Sequence, residues 1–582
     1  MRGGWIPHDE GVIGQSAERV LLGELPHRDF VELYTGGLSF LHSLAFRLGG
    51  INLLVPRLVL FGAALLWLHC VYWIARRFVP PLGAAGVTFA AVAWSLPHYF
   101  AALPSWYNLF FATFTAAALL RFVESRNRLY LAAAGAAAAL SIMAKISGLF
   151  AAAACLLFLA YLEADERAEG AAVAPGVARY VYPVASIAAL LGFLLVLWST
   201  LQPHAGADVL FHFFLPALLV CAGIAWTELS AAHGPPAPRL LRLLRNVAAF
   251  AIGLALPLAL FAFPFAAEGA LPALIDGIFV LPSQRLSQAA WPPPPVLLAV
   301  PLLAVAIVLL RGIQRLAVTW ALAVAALLFL LSRIDVVYLG VILAVQSSVP
   351  LVTAAGIMVI RTRRQDASVP SLQGRQAAAL VCLLALCTLI QFPYAHRIYF
   401  LYLAPLLLLT AAALGSLLAR PQRAPLTGLL VFMIAFGTTW MNHRFPAGLG
   451  YHYAWGEHST VLEMPRGGGL RVHRAEAATY ARLVQLLQAH SENGYTLAAP
   501  DAPEVYFLSG LRNPTPHLFE FFGGADVERG LLGVIDSLGI TVVAVNPGAG
   551  FSRPLSTDFM MQLRARFTDA EMVGPFLVAW RR

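Results

Sequence analysis

The sequence has almost no lysine: Lys145 stands alone among 39 Lys and Arg residues. Charge of either sign is scarce, at 12% of 582 residues, where a soluble domain carries about 25%. That shortage excludes an ordinary cytosolic enzyme and a disordered chain, both of which need charge for solvation. Cysteine is sparse as well. Cys70, Cys155, Cys221, Cys382 and Cys387 lie inside apolar runs without CxxC or metal-ligand spacing, which excludes a disulfide scaffold and a zinc framework. No GxGxxG, Walker, HExxH or GxSxG pattern sits in a supporting context, so the chemistries those motifs carry drop out. The net charge of +9 invites a nucleic-acid reading. The arginines, however, flank apolar runs and are not interleaved with aromatics, so no nucleic-acid partner is expected.

What the chain has is hydrophobicity, at 59% of residues and a mean hydropathy of +0.74. A membrane-crossing helix needs about 20 mostly apolar residues. Such runs occur at 52–76, 83–101, 106–123, 129–144, 146–162, 180–200 and 207–229. More follow at 246–265, 294–311, 315–332, 335–360, 376–392, 397–418 and 425–441. The expectation is an α-helical polytopic membrane protein of about fourteen spans, with membrane lipids as partners. If residues 1–51 lie outside, the inner loops hold eighteen arginines. The outer loops between spans then hold four cations, Lys145, Arg285, Arg333 and Arg397. The positive-inside rule selects that orientation. An even span count returns the tail to the outer face, the periplasm if the membrane is a bacterial inner membrane.

The tail is polar. Helical patterns at 476–490, 525–538 and 557–567 alternate with β-rich runs at 495–499, 540–546 and 576–580, which predicts a small soluble α/β domain. The domain plan is therefore an outer loop at 1–51, a helical membrane domain at 52–441 and the α/β domain at 442–582. Residues 1–30 have no apolar stretch and are neither signal peptide nor span. The favoured reading is a start placed too late, with one upstream span missing.

Polar groups inside a membrane protein are costly and mark function. Here they cluster in the outer loops: the N-terminal segment, 97–108, Lys145, 268–295, 332–335 and 391–402. His8, Asp9 and Glu10 precede Gly11 and an amphipathic helix expected over 12–22. A carboxylate in that position can serve as general base on an acceptor hydroxyl or amine, or hold a divalent cation. It can equally be a solvated acidic turn at a helix N-terminus, where negative charge is favoured anyway.

The string DEG before an amphipathic helix, then GELPHRDF, then Tyr34 with Leu48-Gly49 and Pro56-Arg57-Leu58, carries a resemblance. It resembles the opening of the GT-C membrane glycosyltransferases, of the protein O-mannosyltransferase and aminoarabinose transferase type. The motif match covers 8–58, with weaker echoes at 391–405; span pattern and outer tail extend the likeness to most of the chain. The resemblance implies an inverting transfer of sugar from a polyprenyl-phosphate donor to a lipid, glycan or protein acceptor at the outer face. It implies Asp9 as the base and Glu10 as a second carboxylate orienting the acceptor; Asp29 matches the family's aspartate after G-x-x-P, but its reading here is structural, fixing the loop by hydrogen bonds.

A lipid-phosphate leaving group gathers negative charge and needs cations near the outer boundary. The donor-phosphate candidates are Lys145, Arg57, Arg285, Arg397 and Tyr399; the acceptor candidates are His8 and His98. Plainer readings stand beside them. Lys145 can be a snorkelling side chain, Arg57 a helix-to-carbonyl tie, Arg285 part of an ordered Pro-rich connector and Tyr399 an interfacial anchor. The 97–108 loop lacks the second acidic motif of many relatives. Mg²⁺ and Mn²⁺ prefer carboxylate oxygens, so no metal or other cofactor is expected. The rival classes are a transporter or flippase of lipid-linked sugars, and a noncatalytic, degenerate family member.

Overall fold

The computed structural model describes residues 2–165, 178–230, 235–281, 290–300, 318–364, 371–418, 423–440, 460–519 and 525–581. The first half is built of α1 (Pro7–Leu21), α2 (Gly37–Gly49), α3 (Leu54–Ala75), α4 (Pro81–Ala93), α5 (Pro104–Ser125), α6 (Leu129–Ala144) and α7 (Leu149–Asp165). Among the described residues seven helices are long and apolar enough to cross a membrane. The pair Asp335–Gln346 and Val349–Thr362, bent by 45°, makes an eighth. Shorter apolar helices, α6 and Ala404–Leu417 among them, fill the bundle. The run expected at 294–311 lies largely outside the described residues, and Arg285 lies wholly outside them. Exposed leucines such as Leu66 on α3, Leu195 on Ala178–Leu201 and Leu256 and Leu260 on Pro236–Ala267 face outward. Helices with such faces suit lipid, because their backbone groups are satisfied within the segment.

Helix Pro236–Ala267 crosses α6 on glycine. A Cβ on Gly135 would fall 2.1 Å from the Phe250 carbonyl oxygen, and one on Gly253 would fall 1.9 Å from that of Ala132. Small residues let backbones approach this closely where no hydrophobic effect drives helices together. Gly253→Ala is expected to cost about 1–3 kcal/mol, seen as a lower thermal midpoint of the detergent-solubilised protein; an unchanged midpoint would mean the crossing is looser than this.

α7 starts beside Lys145 and ends at Asp165. At its far end Arg239 donates to Glu228 at 2.7 and 2.8 Å and to Glu163 at 3.4 Å, all three buried. Arg375 donates to Asp165 at 2.7 Å. These ties join α7 to the helices that carry Glu228, Arg239 and Arg375, at the end of the bundle away from the N-terminal segment.

The tail is an α/β unit. Strands β1 (Thr460–Val461) and β2 (Arg471–Val472) form a two-stranded ribbon. β3 (Leu497–Ala499), β4 (Val542–Val545), β5 (Asp569–Val573) and β6 (Phe576–Trp580) form a sheet of order β3-β4-β6-β5, parallel only between β3 and β4. β4 is buried along its whole length, as a central strand covered on both faces should be. Leu531, Ile535, Phe559 and Leu563 cover one face.

On the other face Leu483, Leu487 and Val505 join Trp5, Ala17, Phe46 and Val55 in a single core. The N-terminal segment and the tail thus lie at the same end of the bundle and fold as one body. Glycine makes the seating possible. A Cβ on Gly11 would fall 2.2 Å from the Glu504 backbone nitrogen, and one on Gly14 would fall 2.6 Å from the Phe507 ring. Arg466 clamps the same junction, donating to both Glu18 carboxylate oxygens at 2.8 Å.

Candidate functional site

α1 begins earlier than its hydrophobic pattern suggests. Pro7 opens the helix, so His8, Asp9 and Glu10 occupy its first turn and not a loop before it. Proline is preformed for that position, and carboxylates there favour the positive end of the helix dipole. Successive side chains leave a helix about 100° apart, and the neighbouring acids accordingly diverge.

Glu10 turns inward. Its carboxylate accepts from Arg57 Nε and Nη2 at 2.6 and 2.7 Å and from the Ile6 backbone N–H at 3.0 Å. Arg57 also donates to the Gly4 carbonyl at 2.7 Å, and both side chains are buried. This geometry corrects two expectations. With its lone pairs committed to Arg57 and Ile6, Glu10 is placed to fasten α1 to α3 and not to orient an acceptor. Arg57 is likewise removed from any donor phosphate.

Asp9 is half-buried on the other side. The Tyr99 hydroxyl donates to its Oδ2, and His8 Nε2 stands 3.9 Å from the same oxygen. Tyr99 follows the short turn Leu96–His98, and its carbonyl is pinned by Trp106 Nε1 at 3.0 Å. Lys145 lies in the turn between α6 and α7, outside both helices. Its Nζ donates to Ser105 Oγ at 3.1 Å and lies 4.9 Å from the Tyr399 ring centre and 5.9 Å from that of Tyr34. Burial pulls its pKa down to about 8, against the opposing pull of the Asp9 charge. Asn108 bridges Ser141 and Ser147, bracing the turn that presents the amine. The structure therefore brings Asp9, His8, Lys145 and Tyr399 to one place.

The remaining candidates show other partners. His98 is buried and donates to the Ala93 carbonyl at 2.8 Å, closing the end of α4, which removes it from the acceptor role expected above. Arg397 is half-buried with Tyr338 as an electrostatic neighbour. Asp29 Oδ2 accepts from the Leu25 N–H and from Arg28, both at 2.7 Å, holding the loop before α2, and its pKa is lowered mainly by Arg28. Sequence reasoning missed Tyr99 and Ser105 as partners. Both stand in the 97–108 loop, but nothing in their spacing points to Asp9 or Lys145. Among the described residues no group of three His, Cys, Asp or Glu side chains is placed to hold a metal ion.

Beneath α1 the Glu504 carboxyl accepts from Tyr480 at 3.0 Å, and its Oε2 has no partner among the described residues. Burial raises its pKa from 4.5 to about 7. Because the folded state holds this proton more tightly than the unfolded state, the stability it contributes is full below pH 4.5 and is lost as pH rises through about 7. The full excursion is about 3 kcal/mol at most. Thermal unfolding at pH 5 and pH 8 should show a drop for the wild type that Glu504→Gln largely abolishes; equal drops in both would place the titration elsewhere.

No family model matches the chain, and no curated protein matches it in sequence. Among solved structures, the oligosaccharyltransferase of Archaeoglobus fulgidus in complex with Zn and sulfate aligns with 92% of this chain at 10% identity and a TM-score of 0.43. The alignment spans 63% of that protein's length, so the chain covers less than two thirds of it. ArnT from Cupriavidus metallidurans in the apo state aligns with 100% of this chain and 94% of its own, at 12% identity and a TM-score of 0.36. The same protein bound to undecaprenyl phosphate aligns over 98% and 93%, at 16% identity and a TM-score of 0.32.

Proposed function

We propose that this chain is a GT-C-type inverting glycosyltransferase of a bacterial inner membrane. It moves a sugar from a polyprenyl-phosphate donor to an acceptor at the periplasmic face. The observation that carries the proposal is a half-buried carboxylate, Asp9, oriented by Tyr99, at the same end of the bundle as an amine held among aromatic rings.

The two groups suit the two halves of one displacement. The acceptor O–H or N–H gives its proton to Asp9 as its oxygen or nitrogen attacks the anomeric carbon. The new bond forms on the face opposite the phosphate. The old C–O bond breaks, and its electron pair leaves with the polyprenyl phosphate. Lys145 meets the negative charge that develops there; in a site shielded from water such a charge is worth far more than in solvent. Ser105 and Tyr399 hold the amine in position, and the exposed apolar helix faces keep the lipid tail in the bilayer.

The transport reading has one feature in its favour. The break between Asp335–Gln346 and Val349–Thr362 borders a cavity of about 410 Å³ lined by Val345, Ser348, Leu407, Ala411 and Met433. Broken helices do line carrier sites, but those sites hold ions on polar groups, and this lining is almost wholly apolar. The test of the enzyme proposal is release and transfer of label from a radiolabelled polyprenyl-phosphate sugar by the purified protein. Turnover that survives unchanged in Asp9→Asn would remove Asp9 from the mechanism, and no turnover in the wild type would end the proposal.

A further inference from the structure

Next to Asp9, the tail domain meets the first turn of α1 through aromatic rings packed on His8. The His8 ring stacks on Phe519, with centres 5.6 Å apart and planes 16° apart, and meets Phe551 at 4.9 Å. Phe519 and Phe551 are 5.2 Å from each other. Phe519 is buried, whereas 55% of Phe551 is exposed. Phe551 thus keeps an open ring face one side chain removed from Asp9, with His8 between them.

One residue holds both rings. Asp501 is buried, and its carboxylate accepts from the Phe551 N–H at 2.7 Å, from the Ser552 N–H at 3.1 Å and from the Ser552 hydroxyl. Its own N–H donates to the Phe519 carbonyl at 3.3 Å. Its φ of +54° lies in the left-handed region that aspartate tolerates better than most residues. A buried carboxylate with three donors on one loop is a costly way to fix a surface turn, and it makes the Phe551 ring a preorganised feature.

Resting on the proposed transfer reaction, we infer that Phe551, with His8 and Phe519, is the acceptor-side wall of the site and that it takes a sugar ring. A pyranose presents C–H bonds on its face and hydroxyls around its edge. The C–H face can lie on the electron-rich face of Phe551, while an edge hydroxyl turns toward Asp9, 3.9 Å from the His8 imidazole. The amine that receives phosphate sits elsewhere on the same carboxylate's surroundings, among Ser105, Tyr34 and Tyr399. Donor and acceptor sides therefore differ in chemistry, one cationic and one aromatic. Asp501 acts as a positioning residue through the loop it holds.

The experiment uses the full chain in lipid nanodiscs with water-soluble methyl hexopyranosides and methyl pentopyranosides as probes, and N-acetylserine amide as the peptide comparison. Saturation-transfer NMR should label the ring C–H protons of at least one glycoside and leave the serine amide unlabelled. Phe551→Ala should lower that labelling about two- to tenfold, the range of one aromatic contact. Phe551→Trp should retain it, and Asp501→Asn should weaken it in part. In transfer assays Phe551→Ala should raise the glycoside KM by a similar factor, more than it lowers kcat. Undiminished ring-proton labelling in Phe551→Ala, or labelling of the serine amide in place of the glycosides, overturns the wall. Labelling that depends on Phe551 in a protein without Asp9-dependent transfer keeps the sugar site and rejects the enzyme proposal.

Discussion

Asp9→Asn is expected to lower transfer from a polyprenyl-phosphate sugar by about 10²- to 10⁴-fold, the usual contribution of a general base. The substitution nearly preserves shape. The amide oxygen can still accept from the Tyr99 hydroxyl that now meets Asp9, so the first turn of α1 should stay in place. What is lost is the ability to take a proton from the acceptor. Initial rates with a labelled donor give the number directly, and a loss below about tenfold would mean that another group accepts the proton. The same assay should show an alkaline limb. As pH rises through about 8, the Lys145 ammonium loses its proton and with it the charge that meets the leaving phosphate. Lys145→Arg should move that limb upward, because arginine stays charged, although its planar fork does not reproduce the single contact to Ser105.

Removing one member of the Glu10–Arg57 pair is expected to cost about 3–5 kcal/mol. The reason is asymmetric. In Glu10→Gln the guanidinium remains buried with no carboxylate to offset its desolvation, and in Arg57→Met the carboxylate is stranded in the same way. The pair fastens residues 4–10 to the start of α3, so the loss should appear as early proteolysis of the N-terminal segment as well as a lower thermal midpoint. Replacing both by methionine should restore much of the stability, since a well-packed apolar pair often does as well as a buried ion pair. A single variant that loses less than about 1 kcal/mol would show that the pair is wetter than its exposure of 2% and 4% implies. These variants affect the platform that carries Asp9, so activity should fall with folded fraction and recover in the double variant.

Much of the architecture is readable along the chain because its causes are local. Apolar runs near the length of a bilayer become helices wherever the backbone must satisfy itself. The tail strands β3, β4 and β6 sit inside the β-rich runs that announce them. β5 escapes notice because it is an edge strand that opens with Asp569, Ala570 and Glu571, residue types depleted in strands. The helix Pro503–Ser509 escapes because its seven residues are too few to show a period. α1 starts five residues before its hydrophobic pattern, since Pro7 and the acids of the first turn are end signals and not face signals.

Composition and spacing are one-dimensional quantities, and in that one dimension they already place the chain in a membrane, gather its polar groups at one end and single out Asp9 and Lys145. Which acid enters a buried ion pair is settled in three dimensions. Glu10 and Asp9 are neighbours in sequence, and their fates differ because helix geometry turns one toward Arg57 and the other toward Tyr99. The same holds for His8, whose ring partners Phe519 and Phe551 come from the far end of the chain. No local pattern encodes those meetings; they follow from the glycine faces of α1 seating the tail against it and from the shared core beneath.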